Sequence, residues 1–334
     1  MARIPATIVT GFLGAGKTSL IRHLLANADG RRLALVINEF GDLGVDRELV
    51  AGCGDPLCRP EDVIELTNGC ICCAVADDFL PAIEALLAAE PPPDHIVIET
   101  SGLALPKPLV KAFDWPEARA RVTVDGVVAV VDAEALAAGR FEEMTGESHE
   151  NPLEEVFEEQ IQCADLVLVN KIDCVDAPSL DRALNALAPM LRPGVKILTA
   201  SQGAFAPQAL LGLGAAAEDD LASRPSHHEQ EGDGHDHDDF DSFVVELAAV
   251  ADPAELEARV RQAALTHDVL RIKGFVEVVG KPMRLAVQAV GPRVQRYFDR
   301  PWRAGEERRS ALVAIGVKGM DRDGVASVLQ GQEG

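Results

Sequence analysis

A chain of 334 residues is longer than one ordinary single-core domain and points to a sizeable first core followed by a smaller second one. Aromatic residues make up only 4% of it, so the core must come from Ala, Val, Leu and Ile, which suits helices packed on a parallel sheet. The formal net charge of -23 argues against a nucleic-acid partner, whose phosphates so acidic a surface repels.

The opening segment "MARIPATIVTGFLGAG" runs from apolar residues straight into glycines, so it reads as a first strand and not as a signal peptide. "GFLGAGKT", Gly11 to Thr18, fits G-x-x-x-x-G-K-[ST] between that strand and a helix whose Leu20, Ile21, Leu24 and Leu25 recur at helical spacing. Glycines in such a loop let consecutive backbone N–H groups curl around phosphates, Lys17 reaches the β and γ phosphates, and Thr18 offers a hydroxyl to Mg2+. "RRLALVINEFG" is a second strand. The "NEFGD" at its end carries Glu39 and Asp42, carboxylates that either approach a metal ion or sit in a solvated turn. In "GCICC", Cys70, Cys72 and Cys73 are too close to bridge one another without strain and are better suited to gripping one ion. Cys53 and Cys58 could complete a closed zinc site with them, whereas Cys163 and Cys174 read as small buried core residues. Clustered thiols in a chain with no export signal point to a reducing cytoplasm and to metal or redox chemistry.

A helix over "DFLPAIEALLAAE" leads to the strand "DHIVIETSG", whose end supplies Glu99 and Gly102 where a γ-phosphate would lie. There Gly102 can offer its N–H, and Glu99 can orient a water or a Mg2+ ligand. No obvious glutamine follows Gly102, which implies slow intrinsic turnover. After the strand "GVVAVVDA" comes "ADLVLVNKID", in which Asn170, Lys171 and Asp173 resemble the guanine-reading signature of GTPases. Asp173 would accept from the N1–H and exocyclic amine of guanine, a pair of donors that adenine does not present. A helix over "PSLDRALNALAPML" and a strand "VKILTAS" complete the alternation. The fold class is α/β: a P-loop domain at 1–215 with a mainly parallel, doubly wound sheet.

Residues 216–241 are acidic and histidine-rich, with few apolar positions, and read as a mobile linker. Ten carboxylates stand there against Arg224, and the rest of the negative excess reads as spread over folded sequence. His227, His228, His235 and His237 form either a weak loading site for divalent metal or a solvated tract. His23, His95 and His267 stand alone and read as structural. Residues 242–334 read as strand, helix, three strands and helix, a small α+β domain. No stretch approaches the roughly eighteen uncharged apolar residues that a membrane helix needs.

Taken in this order, GFLGAGKT, NEFGD, GCICC, IETSG and NKID, followed by a small C-terminal domain, resemble the CobW family of metallochaperone GTPases over nearly the whole chain. The resemblance implies that Gly11, Gly14, Ala15, Gly16, Lys17, Thr18 and Ser19 hold the phosphates of GTP. It assigns Glu99 and Gly102 to the ExxG element, Asn170, Lys171 and Asp173 to base reading, and Cys70, Cys72 and Cys73 to the metal. Lys17, Glu99 and Gly102 would serve hydrolysis, and Thr18, Glu39 and Asp42 the metal ions. The implied cargo is Co2+, passed under GTP control to cobaltochelatase or another metal-requiring client. Thiolates bind Zn2+ more tightly than Co2+ in the usual affinity order, so a zinc or other metal insertase is the alternative. A P-loop small-molecule kinase is more distant, because neither an acceptor pocket nor an Arg-bearing lid is recognisable.

Overall fold

Near-continuous runs of Val, Ile and Leu can be buried on both faces of a sheet, and in the first unit of the chain they are. The computed structural model describes residues 3–28, 30–38, 63–66, 79–139, 152–224, 240–267, 269–303 and 305–332. Among these, β1 (Ile4–Thr10), β2 (Leu33–Asn38), β3 (Val63–Leu66), β4 (His95–Glu99), β5 (Val122–Asp132), β6 (Leu166–Asn170) and β7 (Lys196–Thr199) form one sheet. It is parallel throughout, in the order β3-β2-β4-β1-β5-β6-β7. The helices between them are α1 (Lys17–Ala26), α2 (Leu80–Leu87), α3 (Pro106–Ala112), α4 (Pro116–Arg119), α5 (Ala133–Ala137), α6 (Pro152–Cys163) and α7 (Ala177–Leu187). Ile83 and Leu86 of α2 and Leu109 and Val110 of α3 pack with Ile8, Val36, Ile96 and Ile98 in one core cluster. Phe157 and Ile161 of α6 pack with Val131, Val167 and Val169 in another. The expected strands and helices are present; β3, only four residues long, was not foreseen.

At the edge where the strands begin, a β-bulge sets Asp125 out of register: Ala6 pairs with Val124 and Thr7 with Gly126. The Asp125 carboxylate, 5% exposed, accepts from the backbone N–H groups of Gly212, Leu213 and Gly214 at 2.6, 3.0 and 2.9 Å. Beside it the His95 ring nitrogen Nε2 lies 2.8 Å from the Thr7 hydroxyl, itself 3.4 Å from Asp125. Burial pushes the His95 imidazole down to about 4, against the opposing pull of Asp125. Below pH 6.5 the unfolded chain takes up a proton that the folded one refuses, so stability is lost as pH falls from about 6.5 towards 4, by up to about 3 kcal/mol. Thermal melts across that window should show wild type declining more steeply than His95→Gln; equal slopes would place the dependence elsewhere.

The described part of the acidic stretch read as linker is packed against the first unit. Glu218, 3% exposed, accepts from Arg3, from the Thr123 hydroxyl and from the Val124 N–H. Arg224, 1% exposed, donates to Asp165 at 2.7 Å and to the Cys163 carbonyl. Both residues are charged, so composition reads them as solvated, yet each is buried and held by an opposite charge.

In the second unit β8 (Phe240–Leu247), β9 (Val269–Val276), β10 (Met283–Val290), β11 (Arg293–Pro301) and β12 (Ser310–Val317) form an antiparallel sheet in the order β11-β10-β9-β12-β8. Helices α8 (Pro253–Thr266) and α9 (Arg322–Gln330) pack Leu256, Val260, Val325 and Leu329 onto it. Asp252 and Asp321 cap their first turns. The sequence reading placed three strands between these helices; there are four. The unforeseen β11 is an edge strand with Arg293, Arg296 and Arg300 along it and no continuous apolar face. Residues 240–334 hold fourteen Lys and Arg against thirteen Asp and Glu, so the negative excess belongs to residues 1–239 and is not spread over the whole fold.

Candidate nucleotide site

Parallel strands bring all their C-terminal ends to one sheet edge, and register decides which residues meet there. Val9 pairs with Glu99, and Asp132 with Asn170. The chain leaves β1 through Gly11, Gly14 and Gly16, all at positive φ (131°, 72° and 105°). A Cβ at Gly11 would strike the Val130 carbonyl, and one at Gly16 the Asn170 side-chain amide, so both close approaches require glycine. Ala15 is buried within the turn, and Ser19 lies exposed in the first turn of α1, which carries no acidic residue to compete with an anion at its N-terminus.

Lys17, 5% exposed, places Nζ 2.7 Å from the Gly11 carbonyl and 3.3 Å from that of Phe12. The Thr18 hydroxyl donates to Glu99 Oε1 at 2.9 Å, and that carboxylate is 4% exposed. A buried carboxylate joined to the hydroxyl at the head of α1 has the oxygen-donor chemistry that suits Mg2+. Gly102 packs so closely on the phosphate loop that a Cβ there would lie 2.8 Å from the Leu13 nitrogen.

Asn170 and Lys171 are fastened to the same loop. Asn170 donates from Nδ2 to the Ala15 carbonyl at 3.0 Å and accepts the Gly203 N–H at 2.9 Å. Lys171, at φ 61°, donates to the Gly14 carbonyl at 2.6 Å and pairs with Asp132 at 2.8 Å. The Asp132 carboxylate also caps α5 by accepting from Glu134 and Ala135. Asp173 is exposed and accepts the Ser201 hydroxyl at 2.6 Å.

The structure thus brings Gly11, Gly14, Ala15, Gly16, Lys17, Thr18, Glu99, Gly102, Asn170, Lys171 and Asp173 to one edge. Glu39, Asp42, Cys53, Cys58, Cys70, Cys72, Cys73 and the four linker histidines lie outside the described residues. Among the described residues no three metal-ligating side chains cluster. Sequence reasoning missed Asp132, Ser201, Gly203 and Gln160. The first three follow strand ends in "VVDA" and "TASQG", where a polar residue or glycine is a usable signal; Gln160 lies mid-helix and has none. Cys163 is buried as expected, its thiol pushed up to about 11 by burial, but Cys174 is exposed and not a core residue.

Residues 5–199 match the CobW/HypB/UreG nucleotide-binding domain, and residues 240–332 the cobalamin synthesis protein cobW C-terminal domain. The chain is 53% identical to a protein named zinc chaperone CobW from a Sinorhizobium species, over 98% of this chain and 96% of that one. It is 49% identical to zinc chaperone CobW of Pseudomonas aeruginosa, over 99% and 92% of the two chains. Zinc chaperone YjiA of Escherichia coli is 33% identical over 95% of each. The chain belongs to the CobW/HypB/UreG family of P-loop nucleotide-binding proteins, and its second unit is the CobW C-terminal domain.

Proposed function

We propose that the protein is a GTP-dependent metallochaperone that holds Zn2+ on Cys70, Cys72 and Cys73 and passes it to a metal-requiring client, with GTP hydrolysis gating release. The observation that carries this reading is the hydrogen bond from Thr18 to Glu99, which ties the phosphate loop to the strand end leading into Gly102. On this reading the glycine-loop N–H groups and Lys17 bind the phosphates, Thr18 and Glu99 hold Mg2+, and the Gly102 N–H meets the γ-phosphate. Bound Mg2+ would neutralise charge on the phosphates. Loss of the γ-phosphate frees Gly102 and its loop.

Zinc replaces cobalt as the favoured cargo because relatives at 49% and 53% identity are named zinc chaperones and because thiolates prefer Zn2+. The second reading, Co2+ delivery to cobaltochelatase, is favoured by the cobalamin-synthesis domain that residues 240–332 match. Zn2+ and Co2+ should be titrated against a competing chelator with Mg·GDP and with Mg and a non-hydrolysable GTP analogue. We expect about hundredfold tighter binding in the triphosphate state, or about 2.7 kcal/mol of coupling, with metal tightening the nucleotide equally. Cys72→Ser with Cys73→Ser should abolish the tight site. Equal affinity in both nucleotide states would overturn the gating.

A further inference from the structure

Gln160 is wholly buried on α6, and its Nε2 lies 3.1 Å from two carbonyls of the loop after β4, those of Gly102 and Ala104. An amide oxygen in that place would repel both carbonyls, which fixes the orientation of the group. Its Oε1 is also buried and, among the described residues, has no hydrogen-bond partner. Such an orphan acceptor is destabilising, so the side chain is not there to satisfy itself. It is held by the loop it grips.

We propose that Gln160 is the positioning residue of the γ-phosphate loop. Gly102 has no side chain to fix its backbone, and on its other side it faces Leu13 of the phosphate loop. Between them, Leu13 and the Gln160 amide confine the turn from Ser101 to Ala104, whose own closing bond is Ala104 N–H to the Ser101 carbonyl at 3.1 Å. Helix α6 is a firm support, because Phe157 and Ile161 anchor it in the core with β5 and β6. The clamp aims the Gly102 N–H without touching nucleotide. The inference rests on the guanine-nucleotide reading above, with Gly102 meeting only the third phosphate.

Gln160→Met keeps the volume and removes the donor; Gln160→Glu sets a carboxylate oxygen against the two carbonyls. Full-length variants should bind Mg·GDP within about twofold of wild type. They should bind a non-hydrolysable GTP analogue about tenfold more weakly for Met, and more weakly still for Glu, with single-turnover hydrolysis slowed in the same order. In wild type, the 15N-labelled side-chain amide of Gln160 should shift between the GDP and analogue complexes. Equal losses for GDP and analogue, no loss for either, or an amide signal indifferent to nucleotide would overturn the proposal, the last of these without needing a variant to fold. Wild-type protein that bound neither guanine nucleotide would instead overturn the nucleotide reading, and this inference with it.

Discussion

Asp173→Asn should weaken GTP binding by at least about a hundredfold and make xanthosine triphosphate the better ligand. The carboxylate stands at the end of the strand that also carries Asn170, exposed and oriented by the Ser201 hydroxyl at 2.6 Å. On the guanine reading, the carboxylate would accept from both the N1–H and the exocyclic amine of the base. As an amide it loses one acceptor and gains a donor for the C2 carbonyl of xanthine. Sites built to pair with such groups reject the ligand lacking them by large factors, because the buried partners are left unpaired. Asn170 and Lys171 keep their bonds to the phosphate loop, so the change falls on base choice and not on folding. Competition of each triphosphate against a fluorescent GTP analogue reads the result. Wild-type protein that bound ATP and GTP equally would remove the basis for the prediction.

Asp125→Ala should cost the first unit about 2–4 kcal/mol, a large stability loss for a single change remote from the nucleotide edge. One carboxylate there satisfies the N–H groups of Gly212, Leu213 and Gly214, and two of these residues sit at positive φ, 95° and 65°, to wrap around it. Truncation removes the acceptor shared by three N–H groups, at about 0.5–1.5 kcal/mol each, because Gly212 and Gly214 are exposed and water can take the place of the carboxylate there. Asp125→Asn keeps one acceptor and should lose less. Urea unfolding of the full chain, followed separately for its two units, measures the difference. A loss under about 1 kcal/mol for Asp125→Ala would mean that packing of the loop, and not this carboxylate, holds it.

The parts of the site that the sequence announced are those in which one contiguous stretch performs one task. GFLGAGKT makes its turn within eight consecutive residues, and NKID presents its side chains from a single strand end, so spacing alone carried the reading. Gln160 escaped because its partner lies 58 residues away and nothing local distinguishes it from a solvated residue, whereas Asp132, 39 residues from its partner, was marked only by its place at a strand end. The same reasoning explains Glu218 and Arg224, charged residues in an acidic stretch whose burial depends on Val124 and Asp165, about 60 to 95 residues distant. The strand β11 was hidden because an edge strand lined with arginine has no period-two apolar face. The exposure of Cys174 follows from the turn after β6, which leaves Asp173 exposed and carries its neighbour with it.

The fastening of the phosphate loop by Asn170 bears on how the protein is made. Ala15 is translated early, but the amide that grips its carbonyl comes 155 residues later, and that amide in turn waits for the N–H of Gly203. Lys171 reaches Gly14 across 157 residues. While β6 and the turn after β7 are still inside the ribosome, a nascent chain therefore has the motif but not the grip. Its glycines should sample many conformations until long-range closure selects one. Ribosome-stalled chains ending before residue 170 should be unable to retain GTP, whereas chains with residue 203 well clear of the exit tunnel should retain it. In the cell this delay would keep half-made chains from drawing on the guanine nucleotide pool.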